Sequence, residues 1–491
     1  MRGGIADAAF RAVESAMLDL PEAPAGLPAL EARLRQDLAW LELPARNWVP
    51  PRSHDGDVVT DVAIIGGGLC GLVAAAALKL LGIRRIRVLD RAPAGQEGPW
   101  LSYARMETLR SPKTLAGPAL GLPALTFRAW FEAQHGTAAF AALGKIPRVM
   151  WMDYLVWFRR VMGIAVENGV TVTQIRPATE DLFTLETTAG ALAARHVVLA
   201  TGRDGLGGAY LPPIAQALPP ALRAHSRDAI DFAALAGKRV GVIGAGASAM
   251  DNAGAALEAG CARLDLFVRR AALPRVNKFT GIGSPGVVHG FAGLPDAWKW
   301  RFLDLVFSSQ TPPPRESTLR VSRHAHAHLH LSSPIVDLAA HDGVIQITTP
   351  KGRFELDFLI FATGFRVDLA QRPELALFAP HIRFWADRYP EPPGPPNEEL
   401  ATSPDLAPDF AFQEKVAGSC PALARLHCFN YPATLSHGKL SGDIPAVSTG
   451  AERLTQGIAR ALFVADREAH FAALQAFETP ELLGDEWPER G

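Results

Sequence analysis

A run of apolar, mostly β-branched residues at 58–65 leads straight into Gly66-Gly67-Gly68-Leu69-Cys70-Gly71, and the pattern returns where Arg239–Ile243 leads into Gly244-Ala245-Gly246-Ala247-Ser248-Ala249. Each loop is followed by an apolar helical segment and, after a similar interval, by the same tripeptide: Ala200-Thr201-Gly202 for the first and Ala362-Thr363-Gly364 for the second. A buried strand, a glycine turn and a helix form the turn that receives a dinucleotide pyrophosphate. Two such units in one chain imply two dinucleotides, and the usual reason to hold two is to pass electrons between them.

The fold expected is α/β, with two Rossmann-like three-layer dinucleotide-binding domains, one inserted in the other. The boundaries read from the pattern are a helical, peripheral extension at 1–57, a first nucleotide unit at 58–203, an inserted unit at 215–355, and a return to the first unit at 356–491. Within this frame, 72–81 reads as a helix and 86–89 as the second strand. Residues 171–186 and 191–199 form a β-meander. Residues 344–349 and 354–361 form a hairpin in the insert. Trp151, Tyr154, Leu155 and Phe158 share one helical face and read as core.

Composition narrows the function. The chain has 491 residues, 48% apolar and 20% charged, with a net charge of −1. That balance gives no electrostatic case for nucleic acid or for an anionic membrane. Cys70, Cys261, Cys420 and Cys428 form no C-x-x-C pair and no zinc spacing. The start MRGGIADAAF lacks the apolar stretch of a signal peptide, so a reduced cytoplasmic setting is expected.

The residues of each loop have separate duties. In the first, Gly66 permits the turn, Gly68 admits the pyrophosphate to the backbone, and Gly71 brings helix and sheet together. Leu69 and Cys70 supply N–H groups at the positive end of the helix. Asp90, with Arg91 beside it, closes the second strand about 20 residues on, where a carboxylate accepts from ribose hydroxyls and repels a 2′-phosphate. That suits FAD or NAD. In the second loop Gly244, Gly246, Ala247, Ser248 and Ala249 take the same places. The following strand ends in Arg269-Arg270, cations that accommodate a 2′-phosphate and favour NADPH. Thr201-Gly202 and Thr363-Gly364 close the two sites.

With these motifs the chain resembles the flavin-dependent monooxygenases of the two-dinucleotide type, which include the flavin-containing, Baeyer–Villiger and N-hydroxylating groups. The resemblance rests on Gly66 to Gly71 with Asp90, on Glu97-Gly98-Pro99-Trp100, on GKRVGVIGAGASAMD and on Ala362-Thr363-Gly364-Phe365, and covers most of 58–366. It implies that Trp100, Gly442 and Asp443 join the flavin site, with Ser441 to Val447 opening a helix toward the isoalloxazine. It also implies FAD and NADPH as cofactors, a small-molecule substrate and dioxygen as partners, and a C4a-peroxyflavin as the oxygenating species. The Phe-x-Gly-x-x-x-His fingerprint of two groups is incomplete: His225 and Ser226 match, but Pro219 and Ala221 replace the Phe and the Gly. Oxidation of nitrogen or sulfur is therefore expected over ketone insertion.

The remaining candidates are weaker. Arg110 and Lys113 follow the flavin turn and are cations suited to a developing anion or to NADP phosphates, as are His437 and Lys439. His225 is the third candidate for a catalytic role. His324, His326, His328 and His330 alternate as on a half-exposed strand, too far apart for all four to share a metal. Gly281 to Gly286 reads as a turn. A flavin reductase or dehydrogenase without oxygen insertion is the alternative activity, a flavin-bound sensor the non-enzymatic one, and a homo-oligomer is compatible with all three.

Overall fold

The computed structural model describes residues 24–487. The predicted extension 1–57 falls partly outside them. Within them, helix α1 (Leu27–Trp40) buries Leu30 and Leu34 in the core of the first unit, and Gly26 donates its N–H to Ala133 O at 2.7 Å. The expected peripheral segment is therefore packed. Its two leucines together contribute roughly 3–6 kcal/mol of apolar burial.

The first unit continues with β1 (Thr60–Ile65), α2 (Leu69–Leu80) and β2 (Ile86–Asp90). Next come α3 (Phe127–Ala142), α4 (Arg148–Val161), β3 (Val166–Asn168), β4 (Val172–Pro177), β5 (Phe183–Thr187) and β6 (Gly190–Leu199). β1 is buried along almost its whole length, the mark of a parallel strand covered on both faces. It lies between β2 and the carboxyl half of β6, with β3 outside β2, all parallel. The amino half of β6 pairs antiparallel with β5, and β5 with β4, so the meander grows out of the sheet's own strand.

The chain crosses to the second unit through β7 (Gly207–Ala209). That unit contains β8 (Arg223–His225), β9 (Arg239–Ile243), α5 (Ala247–Glu258), β10 (Arg263–Phe267), α6 (Asp296–Ser309), α7 (Arg315–Ser322) and β11 (Ala327–His330). It ends with β12 (Asp337–His341), β13 (Val344–Thr349), β14 (Gly352–Leu356) and β15 (Phe358–Phe361). β8, β15, β9, β10 and β11 form a parallel sheet in that order, and β12 to β14 a separate meander. The plan of the first unit is thus repeated.

The predicted strand 354–361 is two strands in two sheets. Asp357 breaks it: its carboxylate accepts the Arg239 N–H at 2.7 Å and pairs with the Arg239 guanidinium, and its own N–H returns to Arg239 O. The chain is pulled across to β9, and β15 joins the parallel sheet. The insert therefore runs through Phe361 rather than ending at 355.

The return crossing is β16 (Phe365–Val367), antiparallel to β7. β17 (Leu426–Cys428) then adds beside β6 in parallel, and α8 (Val447–Ala465) packs against α2. The two units also meet through an apolar cluster. Phe291, Trp300 and Leu303 from the second unit pack with Trp385, Leu400 and Leu435 from the returning chain. A bidentate Arg388–Asp296 pair lies at its edge. Among the described residues, no helix is long and apolar enough to cross a membrane.

Candidate functional site

Both glycine loops sit at the carboxyl ends of parallel strands, where open α/β sheets bind ligands. Gly66 has φ 110°, and a Cβ there would lie 2.4 Å from Ala200 O, the first residue of its closing motif. Gly244 repeats this with φ 141° and Ala362 O at 2.6 Å. Each closing tripeptide is therefore laid directly beneath its loop. The loops differ at the third small residue. A Cβ on Gly71 would lie 1.8 Å from Gly66 O, whereas the second loop accommodates the real Cβ of Ala249, fully buried.

The residues of the first loop fit a bound FAD. α2 begins at Gly68 with no side chain capping it and no acidic residue in its first turn, so its N-terminal N–H groups face outward for an anion. Gly68 faces Gly98, and a Cβ on it would stand 3.5 Å from the Gly98 Cα. The Asp90 carboxylate accepts the Gly67 N–H and the Ala92 N–H, each at 2.7 Å. Asp90 thus braces the loop with one lone pair of each oxygen. Arg91 is exposed beside it.

The segment after β2 is anchored by the first residue of the Glu97-Gly98-Pro99-Trp100 run. Glu97 is buried, pairs with Arg159 at 2.7 Å and accepts from Asn168 Nδ2 at 2.6 Å. Trp100 follows, its carbonyl held by Arg148 and its ring edge-on to Trp151 at 6.3 Å. Cys70 Sγ donates to Ser441 O at 3.2 Å, which brings Gly442 and Asp443 beside the start of α2. Burial pushes the Cys70 thiol up to about 12, so it stays a neutral packing group. Thr201 Oγ1 donates to Gly205 O and accepts from Asn430, and Gly202 O takes the Tyr431 N–H. Arg203 then lies 4.2 Å over the Tyr431 ring, whose hydroxyl donates to Glu399 at 2.9 Å. No sequence motif points to Tyr431 or Glu399; for Arg203 the signal is its place directly after Ala-Thr-Gly.

In the second unit α5 starts at Gly246, also without a side-chain cap, so Ala247, Ser248 and Ala249 form an open first turn. Arg269 is exposed just beyond β10. Arg270 is half-buried and lies 3.5 Å from Ser308 O. Thr363 Oγ1 donates to Tyr210 O, and Gly364 O accepts the Tyr210 N–H at 2.9 Å.

The candidate catalytic residues separate. Arg110 reaches the rim between the units, donates to Pro312 O at 3.0 Å and has the Asp443 carboxylate as its favourable charge. Lys113 does not face the site. Its ammonium donates to Phe140 O, Ala141 O and Leu143 O at 2.6, 2.9 and 2.6 Å, capping the carboxyl end of α3. All three N–H bonds are used, so the expected role in charge stabilisation is corrected to a structural one. His225 is buried at the end of β8, its ring edge-on to Phe365 at 5.7 Å and its Nδ1 accepting the Arg227 N–H. Burial lowers its pKa and keeps it neutral. His437 is core, stacked 3.9 Å from Phe410 and held down to about 3 by burial beside Arg453, while Lys439 is paired with Asp443 at 3.2 Å.

The histidine run is also corrected. Only Ala327–His330 is strand; His324 and His326 precede it in a turn, and His330 bonds Asp265 at 2.7 Å. Among the described residues no group of three His, Cys, Asp or Glu side chains is placed to hold a metal. Gly281 to Gly286 is a turn between two short helices, Lys278–Gly281 and Pro285–Gly290.

Comparisons with known proteins agree with this arrangement. Residues 63–278 match the pyridine nucleotide-disulphide oxidoreductase family model. The four cysteines are all unpaired. The chain is 43% identical over 466 residues to a FAD-dependent urate hydroxylase of Xanthomonas campestris pv. campestris, covering 94% of this chain and 98% of that protein. Among solved structures, L-lysine 6-monooxygenase from Pseudomonas syringae aligns with a TM-score of 0.64 at 20% identity over 82% of this chain and 99% of that one. The ornithine hydroxylase of Pseudomonas aeruginosa aligns with a TM-score of 0.63 at 16% identity over 82% and 100%.

Proposed function

Because the chain belongs to the two-dinucleotide-binding flavoprotein monooxygenases, we propose that it is an FAD-dependent, NADPH-using hydroxylase of a small, electron-rich heterocycle, with urate the first substrate to test. The observation that carries the proposal is the 43% identity to a urate hydroxylase along 94% of the chain. The site is consistent with it. FAD, when bound, supplies the hydride acceptor and the means of activating dioxygen; the protein supplies orientation, electrostatics and dryness.

In this reading the start of α2 and Gly68 hold the FAD pyrophosphate, Asp90 the ribose, and Asp443 with the start of α8 the far end of the flavin. Trp100 and Trp151 wall the chamber. Gly244, Gly246 and the start of α5 hold the NADPH pyrophosphate, with Arg269 and Arg270 on the 2′-phosphate. Arg110 and Arg203 place cations at the rim, where a purine anion enters; a guanidinium offers paired donors to planar oxygen and nitrogen acceptors. Neutral His225 fits a positioning role at the junction between the units. The departures at Pro219 and Ala221 support the same proposal in its negative half: a ketone is not the substrate.

The test is turnover under labelled dioxygen with NADPH, using a panel of urate, a primary amine, a thioether and a ketone. Urate-dependent NADPH consumption with one labelled oxygen in the product is the expected result. Transfer of label to the amine or thioether alone would move the assignment to nitrogen or sulfur. Unlabelled products with stoichiometric peroxide throughout would overturn it.

A further inference from the structure

The helical face Trp151, Tyr154, Leu155, Phe158 packs as core, but packing does not account for its polar atoms. Trp100, Trp151, Tyr154 and Trp157 form an unbroken file. Ring centroids are separated by 6.3 Å from Trp100 to Trp151, 4.9 Å from Trp151 to Tyr154 and 5.9 Å from Tyr154 to Trp157. Trp130 stands beside the file, 5.9 Å from Tyr154. One end lies at the first glycine loop, where a Cβ on Gly98 would be 3.8 Å from Trp100 and 3.9 Å from the Gly68 Cα. The other end lies under α1.

The indole N–H groups along it are unequal. Those of Trp100, Trp130 and Trp151 are buried with no acceptor. An orphaned buried donor costs about 1–3 kcal/mol, and here there are three in one cluster. The Trp157 N–H, by contrast, donates to the Glu31 carboxylate at 3.2 Å. Arg160 pairs with Glu31 at 2.5 Å and holds its carboxyl below the ordinary range, so it is an anion in place to accept the indole N–H; the pairing weakens it as a base, but an oxidised indole is a far stronger acid than the neutral one. Tyr154 donates to a peptide carbonyl, Leu125 O, which cannot take its proton.

We propose that this file drains oxidising equivalents from the flavin chamber to the protein surface. An indole that loses an electron with no proton acceptor stays a mobile radical cation; one that can release its proton traps the charge. When the oxidant is bound FAD in its photoexcited, oxidised state, Trp100 gives it one electron. Trp151 refills Trp100, and Trp157 refills Trp151 across the Tyr154 ring. Trp157 then passes its N–H proton to Glu31. The balance is one electron gained at the flavin, one proton gained by Glu31 and a neutral indolyl radical at Trp157, which a soluble thiol restores by giving a hydrogen atom and leaving as a thiyl radical. The proposal rests on FAD occupying the first loop.

The test is a blue-light pulse on the FAD holoprotein, where photoexcited flavin is the oxidant, followed by transient absorption. Bound-flavin absorbance, recorded first, tests the FAD reading on its own, and a protein that takes up no flavin overturns both. In the wild type a deprotonated indolyl radical should appear with the one-electron-reduced flavin. In Trp157→Phe the radical pair should recombine faster by about tenfold. Trp151→Phe should do the same. Glu31→Gln, at the surface end, should leave a radical cation in place of the neutral radical. Wild-type kinetics in all three variants, or no indole radical in a flavin-loaded wild type, would overturn the proposal.

Discussion

The Asp90 carboxylate receives the Gly67 N–H at 2.7 Å, so the acidic residue that ends β2 holds the glycine turn that ends β1. Its second oxygen holds the Ala92 N–H. Asp90→Asn keeps the shape but turns an amide toward one of these donors. Loss of a charge-assisted bond costs about 1.5–3 kcal/mol. FAD affinity, measured by fluorescence titration of the apoprotein, should fall at least tenfold, while the second site's NADPH affinity stays unchanged.

The two loops differ in their tolerance of a methyl group. Gly71→Ala places a Cβ 1.8 Å from Gly66 O if nothing moves, so the loop must open. The purified variant should be colourless. Ala249→Gly in the second loop loses helix propensity, about 1 kcal/mol, and the burial of one methyl, about another 1 kcal/mol, but meets no clash. NADPH binding to that variant by calorimetry should stay within a few-fold of wild type.

Arg269 is exposed beyond β10, and the proposed NADPH reading gives it the 2′-phosphate. Arg269→Ala should raise the KM for NADPH by one to two orders of magnitude, from about 1.5–3 kcal/mol of charge-assisted bonding, and barely change that for NADH. Equal loss for both nucleotides would remove the assignment.

Lys113 caps α3 through three carbonyls. Lys113→Met should lower unfolding stability by about 2–3 kcal/mol in denaturant titration and leave kcat and both cofactor affinities unchanged. A selective fall in kcat at unchanged stability would restore the catalytic role expected from sequence.

Two buried imidazoles meet between β6 and β17. His427 Nδ1 donates to Asp409 O at 2.9 Å, so its Nε2 is the acceptor for His196 Nδ1–H at 3.1 Å. Burial lowers both pKa values, that of His196 well below the ordinary range, and lowers His437 to about 3. The unfolded chain protonates these groups near pH 6.5 and the folded chain does not. Stability is therefore fully present above about pH 6.5 and is lost as pH falls toward the folded values. Tm should drop steadily from pH 7 to pH 4, and His437→Gln should flatten that slope.

What was legible in the sequence was local. The glycine loops, Asp90 and the Ala-Thr-Gly tripeptides declare themselves because turn, helix start and strand end are fixed by neighbours in the chain. What was not legible depends on partners far away. Phe354 to Phe361 alternates as one strand would, and only the Asp357–Arg239 pairing shows the switch of sheets. Lys113 reads as a free cation until the end of α3 arrives beneath it. Leu30 and Leu34 read as peripheral until the first unit's core closes over them. The cluster of Phe291, Trp300 and Trp385 joins segments that no periodicity relates.

Among the described residues, the backbone passes between the two nucleotide units only along β7 and β16, which lie side by side. Such a ribbon would serve as an axle. The Trp300–Trp385 cluster and the Arg388–Asp296 clasp bolt the moving part to its mount. The spacing of the two glycine loops is thus set by the scaffold rather than by what they hold.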